Sequence, residues 1–179
     1  PVRNEKGWEV KKLGEFGDWS SGGTPSRRIK EYFKGNINWF SAGELNTRYI
    51  FKSNEKITRE ALENSSAKLF LRNSLLVGMY DSAAFKLSIL GQDASSNQAC
   101  ANLKCNKNYN IEWIYDLFQI MRPIYLQNRI GVRQKNLSQK MIKDFDAIAP
   151  PIQLQNEFAK NVETIEKQKE LLNQSLELL

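Results

Sequence analysis

The amino-acid sequence predicts an α+β fold, in which a small mixed α/β domain precedes a long C-terminal coiled-coil helix. The first part of the chain alternates short apolar runs with helix-start signals. After Pro150 and Pro151 no glycine or proline follows, and glutamine, glutamate, lysine and leucine dominate. With 41% hydrophobic residues among 179, the chain has enough apolar material for one core. We place the domain at residues 1–149 and the helix at 150–179.

Short strands and short helices are predicted within the domain. Five runs predict strands, because each is apolar or alternating and lies between turn residues: 37–40, 75–80, 85–90, 100–105 and 145–149. Helices are predicted to begin after Thr58, Asn110 and Ser138. Side chains of these types accept hydrogen bonds from the free N–H groups of a first helical turn.

Three long polar stretches separate these elements, at residues 17–30, 45–56 and 128–138. Loops of this length in a compact domain usually carry function. Six of the cations in these stretches are our candidates for DNA contact: Arg27, Arg28, Lys30, Arg48, Lys52 and Arg133. Lysine and arginine neutralise phosphates, and polar loop side chains pair with base edges. A nucleic-acid surface and an ordinary solvated surface are both compatible with this pattern.

The C-terminal helix carries an apolar seam. Its members recur at alternating spacings of four and three, the coiled-coil pattern, and are Phe158, Val162, Ile165, Lys169, Leu172, Leu176 and Leu179. A helix of about 28 residues is about 42 Å long, too long to lie wholly on a small domain. We therefore expect part of the seam to pair with another helix. The alternative is a helix folded back on its own domain.

Charge divides the chain at the same place. The chain contains 26 lysines and arginines against 20 acids, a net charge of +6. Residues 152–179 carry −2, so the preceding 151 residues carry +8. A basic body joined to a slightly acidic helix suggests two different partners.

Several enzyme classes are excluded by missing residues. The chain has no histidine, which removes Ser-His-Asp and Cys-His nucleophiles and histidine-bearing zinc sites. It also has no Walker loop and no G-x-G-x-x-G motif. Carboxylate pairs such as Glu112 with Asp116 or Asp144 with Asp146 are most often solvated surface. We therefore expect no catalytic residue, no metal and no cofactor.

Cys100 and Cys105 are the only cysteines, and one C-x4-C pair alone makes no zinc site. We interpret them as buried thiols in a reducing cytoplasm, with a disulfide or a redox role as the alternative. No stretch approaches the roughly 18 apolar residues that a membrane span requires. The sequence thus predicts a cytoplasmic protein without membrane contact.

A series of short motifs follows a recognisable order. The motifs are W-E-V-K-K-L-G-E at 8–15, G-G-T-P-S at 22–26, G-N-I-N-W at 35–39, N-S-S-A-K at 64–68, S-N-Q-A at 96–99, N-L-S at 136–138, P-P at 150–151 and Q-N-E-F at 155–158. Each is weak alone, whereas their order and spacing together are specific. Over nearly its whole length, the chain resembles one half of a type I restriction-modification specificity subunit.

This resemblance implies a DNA target-recognition domain followed by a conserved helix. Members of the family carry two such repeats, whose helices pair antiparallel and set the distance between two half-sites. The implied partners are double-stranded DNA, methyltransferase subunits and a restriction subunit, and catalysis belongs to those other subunits. The chain would then be a half-length subunit that forms a homodimer through its helix, or one half of a longer chain.

Recognition is expected from loops, with the six cations near DNA. The candidate base readers are Ser41, Asn46, Tyr80 and Ser82. The chain departs from the family at residues 81–84, where relatives often have a glycine-bounded loop and this chain has Asp-Ser-Ala-Ala. The rival hypothesis is a non-catalytic protein-interaction module with no preference among DNA sequences. A third possibility is a nuclease that uses carboxylate-bound metal.

Overall fold

The computed structural model describes residues 4–127 and 136–177, and it contains short strands, short helices and one long helix. In chain order the strands are β1 (Glu9–Lys12), β2 (Gly17–Ser21), β3 (Ile37–Phe40), β4 (Tyr49–Ile50), β5 (Glu55–Ile57), β6 (Leu75–Gly78), β7 (Leu87–Leu90), β8 (Ser95–Ser96), β9 (Cys100–Cys105) and β10 (Asp146–Ala149). The α-helices are α1 (Arg59–Glu63), α2 (Ile111–Leu126), α3 (Gln139–Lys143) and α4 (Ile152–Glu177). The predicted mixed fold with a long C-terminal helix is confirmed.

Local sequence signals predict the α-helices and five of the ten described strands. Strands β3 and β9 have the predicted bounds, and β6, β7 and β10 lie within predicted runs. The three predicted caps are present. The side chains of Thr58, Asn110 and Ser138 accept hydrogen bonds from backbone N–H groups at the starts of α1, α2 and α3.

Strands β1, β2, β4, β5 and β8 lie where the sequence predicts none. The prediction of unbroken polar loops at 17–30 and 45–56 is wrong, because β2 lies in the first and β4 in the second. These strands are short and mostly polar. They form because they pair with distant partners, as β2 does with β9 and β1 with β10. Side-chain alternation carries little information about such pairing.

A five-stranded sheet forms the centre of the fold, with strand order β2-β9-β6-β7-β4. Its strands are antiparallel except for β4, which runs parallel to β7. Leu75 and Val77 of β6 belong to the apolar core that includes Phe118 of α2. Leu76, the residue between them, belongs to a second core with Phe40 of β3. The sheet is therefore buried on both faces.

Several loops lie along the edge of this sheet that is formed by the ends of β2 and β6 and the starts of β7 and β9. Ser21 at the end of β2 pairs with Ala101 near the start of β9, and Gly78 at the end of β6 pairs with Cys100. Because β4 is parallel to β7, the residues before β4 reach the same edge as the β6–β7 loop. The loop after β2, the β6–β7 loop and the segments before β4 and β9 thus lie side by side.

The long helix α4 is attached to the domain at its first turns. The buried Gln155 side chain accepts a hydrogen bond from the Asn110 N–H (2.9 Å) and donates to the Pro150 carbonyl oxygen (2.8 Å). Further along, Leu172 and Leu176 are 64% and 67% exposed. In the described ranges, no helix is sufficiently long and apolar to cross a membrane.

Candidate nucleic-acid interface

Backbone hydrogen bonds hold the loops together at the edge where β2 and β6 end. The Leu137 N–H donates to the Met79 carbonyl oxygen, and the Met79 N–H donates to the Ala99 carbonyl oxygen, both at 2.8 Å. The Gly22 N–H donates to the Cys100 carbonyl oxygen at 3.0 Å. Segments that are far apart in the sequence therefore form one surface.

The two glycines of G-G-T-P-S allow this close approach. A Cβ atom at Gly22 would collide with the carbonyl oxygen of Asn97, and one at Gly23 would collide with the backbone of Ser66. Any larger residue would push the loops apart. The motif G-G-T-P-S is thus in direct contact with S-N-Q-A and N-S-S-A-K, two other motifs of the family resemblance.

A cleft of about 480 Å³ opens between these loops. Its polar lining residues are Ser21, Tyr80, Gln98, Asn136, Ser138 and Gln139. The Thr24 hydroxyl lies 2.5 Å from Gln98 Oε1, and the Ser21 hydroxyl lies 3.4 Å from Gln139 Oε1. Gln139 Nε2 is buried and has no hydrogen-bond partner in the described part of the chain. An unpaired buried amide is costly, and a rotation of the Gln139 side chain into the cleft would let this group donate to a ligand.

The β6–β7 loop presents two predicted base readers at the edge. Residues Asp81–Ala83 form a 3₁₀ turn, Tyr80 is 41% exposed and Ser82 is exposed. Phe85 has a φ of 55° and buries its ring 5.1 Å from that of Tyr125. A phenylalanine therefore occupies a backbone conformation that usually favours glycine, and the buried ring holds it there.

Arg27 lies on the loop after β2 and is already paired. Its guanidinium forms two hydrogen bonds with the Glu55 carboxylate, one of them 2.7 Å between Nη2 and Oε2. It also stacks 4.2 Å from the ring centre of Phe33 and 5.1 Å from that of Trp39. The hydrogen bond from Arg27 lowers the pKa of Glu55. Arg28 on the same loop is exposed.

Arg48 stands apart from the other predicted cations. Nη2 lies 2.7 and 2.6 Å from the two Asp116 oxygens, and Nη1 lies 3.0 Å from Glu112 Oε2. The guanidinium also stacks 4.4 Å from the Tyr115 ring centre. Arg48 therefore ties β4 to α2 with its charge neutralised. Its contact with DNA stays a prediction.

The remaining candidates are dispersed. The Ser41 hydroxyl donates to Glu44 at 2.7 Å, whereas Asn46 Oδ1 accepts from Lys86 Nζ at 2.8 Å beside the β6–β7 loop. Lys30 is exposed after β2, and Lys52 follows β4 and lies towards the opposite end of the sheet. Arg133 and Leu179 are outside the described residues.

The seam of α4 is only partly covered by the chain's own domain. Phe158, Val162 and Ile165 line a groove together with Ile120 of α2. Lys169 pairs with Glu166 at 2.8 Å on the helix surface, and the Leu172 and Leu176 side chains beyond it are exposed. The first turns of α4 therefore lie against the domain, whereas the pairing of its later turns with another helix stays a prediction.

Comparison with known proteins identifies the family. Residues 5–179 match the family described as type I restriction modification DNA specificity domain. The chain belongs to this family.

Two specificity subunits are similar to the chain in sequence. That of the type I restriction enzyme MjaIX from Methanocaldococcus jannaschii is 30% identical over 117 residues, covering 64% of the chain and 27% of that subunit. That of EcoR124I/EcoR124II from Escherichia coli is 29% identical over 171 residues, covering 92% of the chain and 42% of that subunit. The chain spans less than half the length of either relative.

Solved structures share the fold at low sequence identity. The HsdS subunit from Thermoanaerobacter tengcongensis superposes with a TM-score of 0.71 at 12% identity, covering 97% of the chain and 41% of that structure. A chain from a structure on complex assembly and conformational transition of the type I R-M system superposes with a TM-score of 0.72 at 16% identity. The match covers 97% of this chain and 42% of that chain. The fold of this specificity domain is thus shared along nearly its whole length.

The specificity domain contains cleft residues that sequence reasoning missed. Gln98 lies within S-N-Q-A, so a signal for it was present in the sequence. Gln139, the first residue of α3, had no signal, because only its place beside Ser21 gives it a role. Across residues 4–127 and 136–177, no group of three or more cysteine and acidic side chains is arranged to hold a metal ion.

Proposed function

We propose that this specificity domain binds double-stranded DNA and reads one half-site of a bipartite target. The observation that carries the proposal is the polar cleft at the sheet edge, which is lined by Tyr80 and by Gln139, whose amide Nε2 has no partner among the described residues. Glutamine amides pair with adenine in the major groove, and serine and tyrosine hydroxyls add further polar contacts. Arg28 and Lys30 are exposed in the segment that follows β2, and in this proposal they contact phosphates.

The chain acts in this proposal as a non-catalytic subunit in the cytoplasm. The half-buried carboxylates of Glu112 and Asp116 support the non-catalytic role, because both form ion pairs with Arg48. Methyltransferase and restriction subunits would supply the chemistry, in keeping with the restriction enzymes to which the relatives belong. The recognition domain would occupy residues 1–149 and the conserved helix 150–179.

The helix would bring a second recognition domain to the DNA. The uncovered seam at Leu172 and Leu176 supports a helical partner, which is α4 of a second copy or the matching helix of a longer chain. Two recognition domains held by paired helices would read two half-sites at a defined distance. This follows the geometric rule for dimeric DNA-binding proteins.

The deciding experiment is selection from a randomised duplex pool at about 0.15 M salt, where nonspecific phosphate attraction is weak. We expect the wild-type chain to enrich a short motif. Gln139→Ala should lose preference at one or more positions of that motif. Gln92→Ala is the matched control, since the exposed Gln92 bonds the Phe51 carbonyl oxygen after β4 and lies away from the cleft.

Two other outcomes would contradict the proposal. If the chain enriches no motif, alone or with methyltransferase subunits, it is an interaction module without sequence-specific DNA binding. If Gln139→Ala and Gln92→Ala retain the same motif at every position, DNA is read elsewhere than in the cleft.

A further inference from the structure

A second, smaller pocket lies on the other side of the β6–β7 loop. Its volume is about 180 Å³, well below the roughly 300–1,000 Å³ of pockets that bind whole small molecules. Lys86, from the end of the loop, and Arg122, from the last turns of α2, both line it. Asn46 and Tyr115 complete its polar wall. Two cations therefore share a space of the size of a small anionic group.

Among the side chains that the structure describes, no acid forms an ion pair with either cation. The Lys86 ammonium donates to the amide oxygen of Asn46, a neutral group. Arg122 Nε is buried and has no hydrogen-bond partner within the described residues. The acids that precede Arg122 on α2, Glu112 and Asp116, are engaged by Arg48. Residues 128–135, which follow α2, contain no acid in the sequence.

The polar wall has a further donor to offer. The Tyr115 hydroxyl accepts a hydrogen bond from Gln119 Nε2 at 3.0 Å, which leaves its own hydrogen able to donate into the pocket. An arginine guanidinium matches the oxygens of a phosphate with two parallel hydrogen bonds, and a lysine adds a point charge. The donors fit an anion with several oxygens, and the described lining residues include no carboxylate.

The location of the pocket identifies the source of that anion. Lys86 ends the loop that carries Tyr80 and Ser82, and its partner Asn46 belongs to the segment that reaches the same sheet edge. The pocket therefore borders the surface that faces DNA in the function proposed above. We propose that Lys86, Arg122 and the Tyr115 hydroxyl bind a phosphate group of the DNA backbone. This inference rests on the proposed DNA binding.

The test measures how DNA affinity depends on salt. Each phosphate contact contributes about 0.9 to the slope of log K against log salt concentration. We expect the Lys86→Gln, Arg122→Gln variant of the 179-residue chain to reduce that slope by about 0.9. Its affinity should fall on the order of tenfold at about 0.15 M salt. The loss should be equal for the selected target and for an unrelated duplex, because backbone phosphates carry no sequence information.

Two further variants separate a phosphate contact from general charge or stability. Lys104→Gln with Lys107→Gln removes the same two charges at the far end of β9, so we expect it to leave the slope at the wild-type value. Arg122→Lys keeps the charge without the planar fork, and we expect a slope between those of the wild type and the double variant. Thermal unfolding of each variant shows that it is folded at the temperature of measurement.

The remaining outcomes would overturn the inference in distinguishable ways. A wild-type chain that binds no DNA removes the proposed function and this site together. A wild-type chain that binds DNA without selecting a motif removes the proposed function alone, and the salt slope of the double variant still tests this site. A wild-type chain that selects its motif, with an unchanged slope in the double variant, removes this site alone. If inorganic phosphate stabilises the wild type but not that variant while the DNA slopes agree, the site binds a free anion. If the variant weakens only binding to methyltransferase subunits, the anion is a protein carboxylate.

Discussion

Arg48 and Asp116 are joined by a two-oxygen contact, with Arg48 Nη2 2.7 Å from Oδ1 and 2.6 Å from Oδ2. Strand β4, at the edge of the central sheet, and helix α2, across the core, are connected through this pair. Glu112 on the preceding turn of α2 accepts from Nη1 of the same guanidinium. A cation predicted from the sequence to face DNA thus has a structural role within the domain.

Removing this cation should destabilise the domain. Arg48→Ala leaves the half-buried Asp116 and Glu112 carboxylates without their counter-charge, so we expect the free energy of unfolding to fall by about 2 kcal/mol. Arg59→Ala is the control, because the Arg59 pair with Glu63 is exposed and should contribute less than about 0.5 kcal/mol. Urea unfolding followed by circular dichroism measures both. Equal small losses would show that Arg48 contributes no more than a surface ion pair.

The Arg27–Glu55 pair should weaken in acid. The hydrogen bond from Arg27 lowers the pKa of Glu55, so the folded state favours the carboxylate. The contribution of the pair to stability is therefore present above the ordinary glutamate pKa of about 4.3 and is lost as pH falls through the lowered value. We expect Glu55→Gln to lower the melting temperature slightly at about pH 6, with the difference vanishing in stronger acid. A constant difference across this range would contradict the assignment.

The two cysteines should be unreactive in the folded protein. Burial raises the pKa of Cys100 and of Cys105 to about 12, and both are free thiols. Because the thiolate is the nucleophile, iodoacetamide at about pH 8 should label them at least a hundredfold more slowly than in urea, to order of magnitude. Mass spectrometry of Cys100→Ser and Cys105→Ser assigns each site. Rapid labelling of the native chain would show an accessible thiolate and contradict the burial of these thiols.

The exposed part of the α4 seam should mediate helix pairing. Leu172→Glu introduces a charge at a seam position that is already 64% exposed, so the isolated fold should be unaffected while pairing is lost. We expect a dimeric chain to become monomeric in analytical ultracentrifugation. Gln174→Glu, which changes the charge equally on the opposite side of the helix, should remain dimeric. A Leu172→Glu chain that still sediments as a dimer would place the interface elsewhere.

Residues with local signals were predicted well, and residues with distant partners were not. Thr58, Asn110 and Ser138 cap the helices that they were expected to cap, since capping depends on three or four neighbouring residues. Strands β2 and β4 were missed because they are defined by pairing with β9 and β7. Within the candidate site, the sequence alone is sufficient to put Tyr80 and Ser82 on one loop, because they are two residues apart. Their proximity to Asn46 depends on the parallel pairing of β4 with β7.

Residue types and their order are sufficient to predict the α+β class, the capped helices, the apolar seam pattern of α4 and the family. They do not predict which cations are paired with acids. Arg48 forms an ion pair with Asp116, more than sixty residues away in the chain, whereas Lys86 and Arg122 line one pocket whose described lining residues include no acid. A charge is neutralised by groups within a few ångströms of it, and long-range folding brings those groups together.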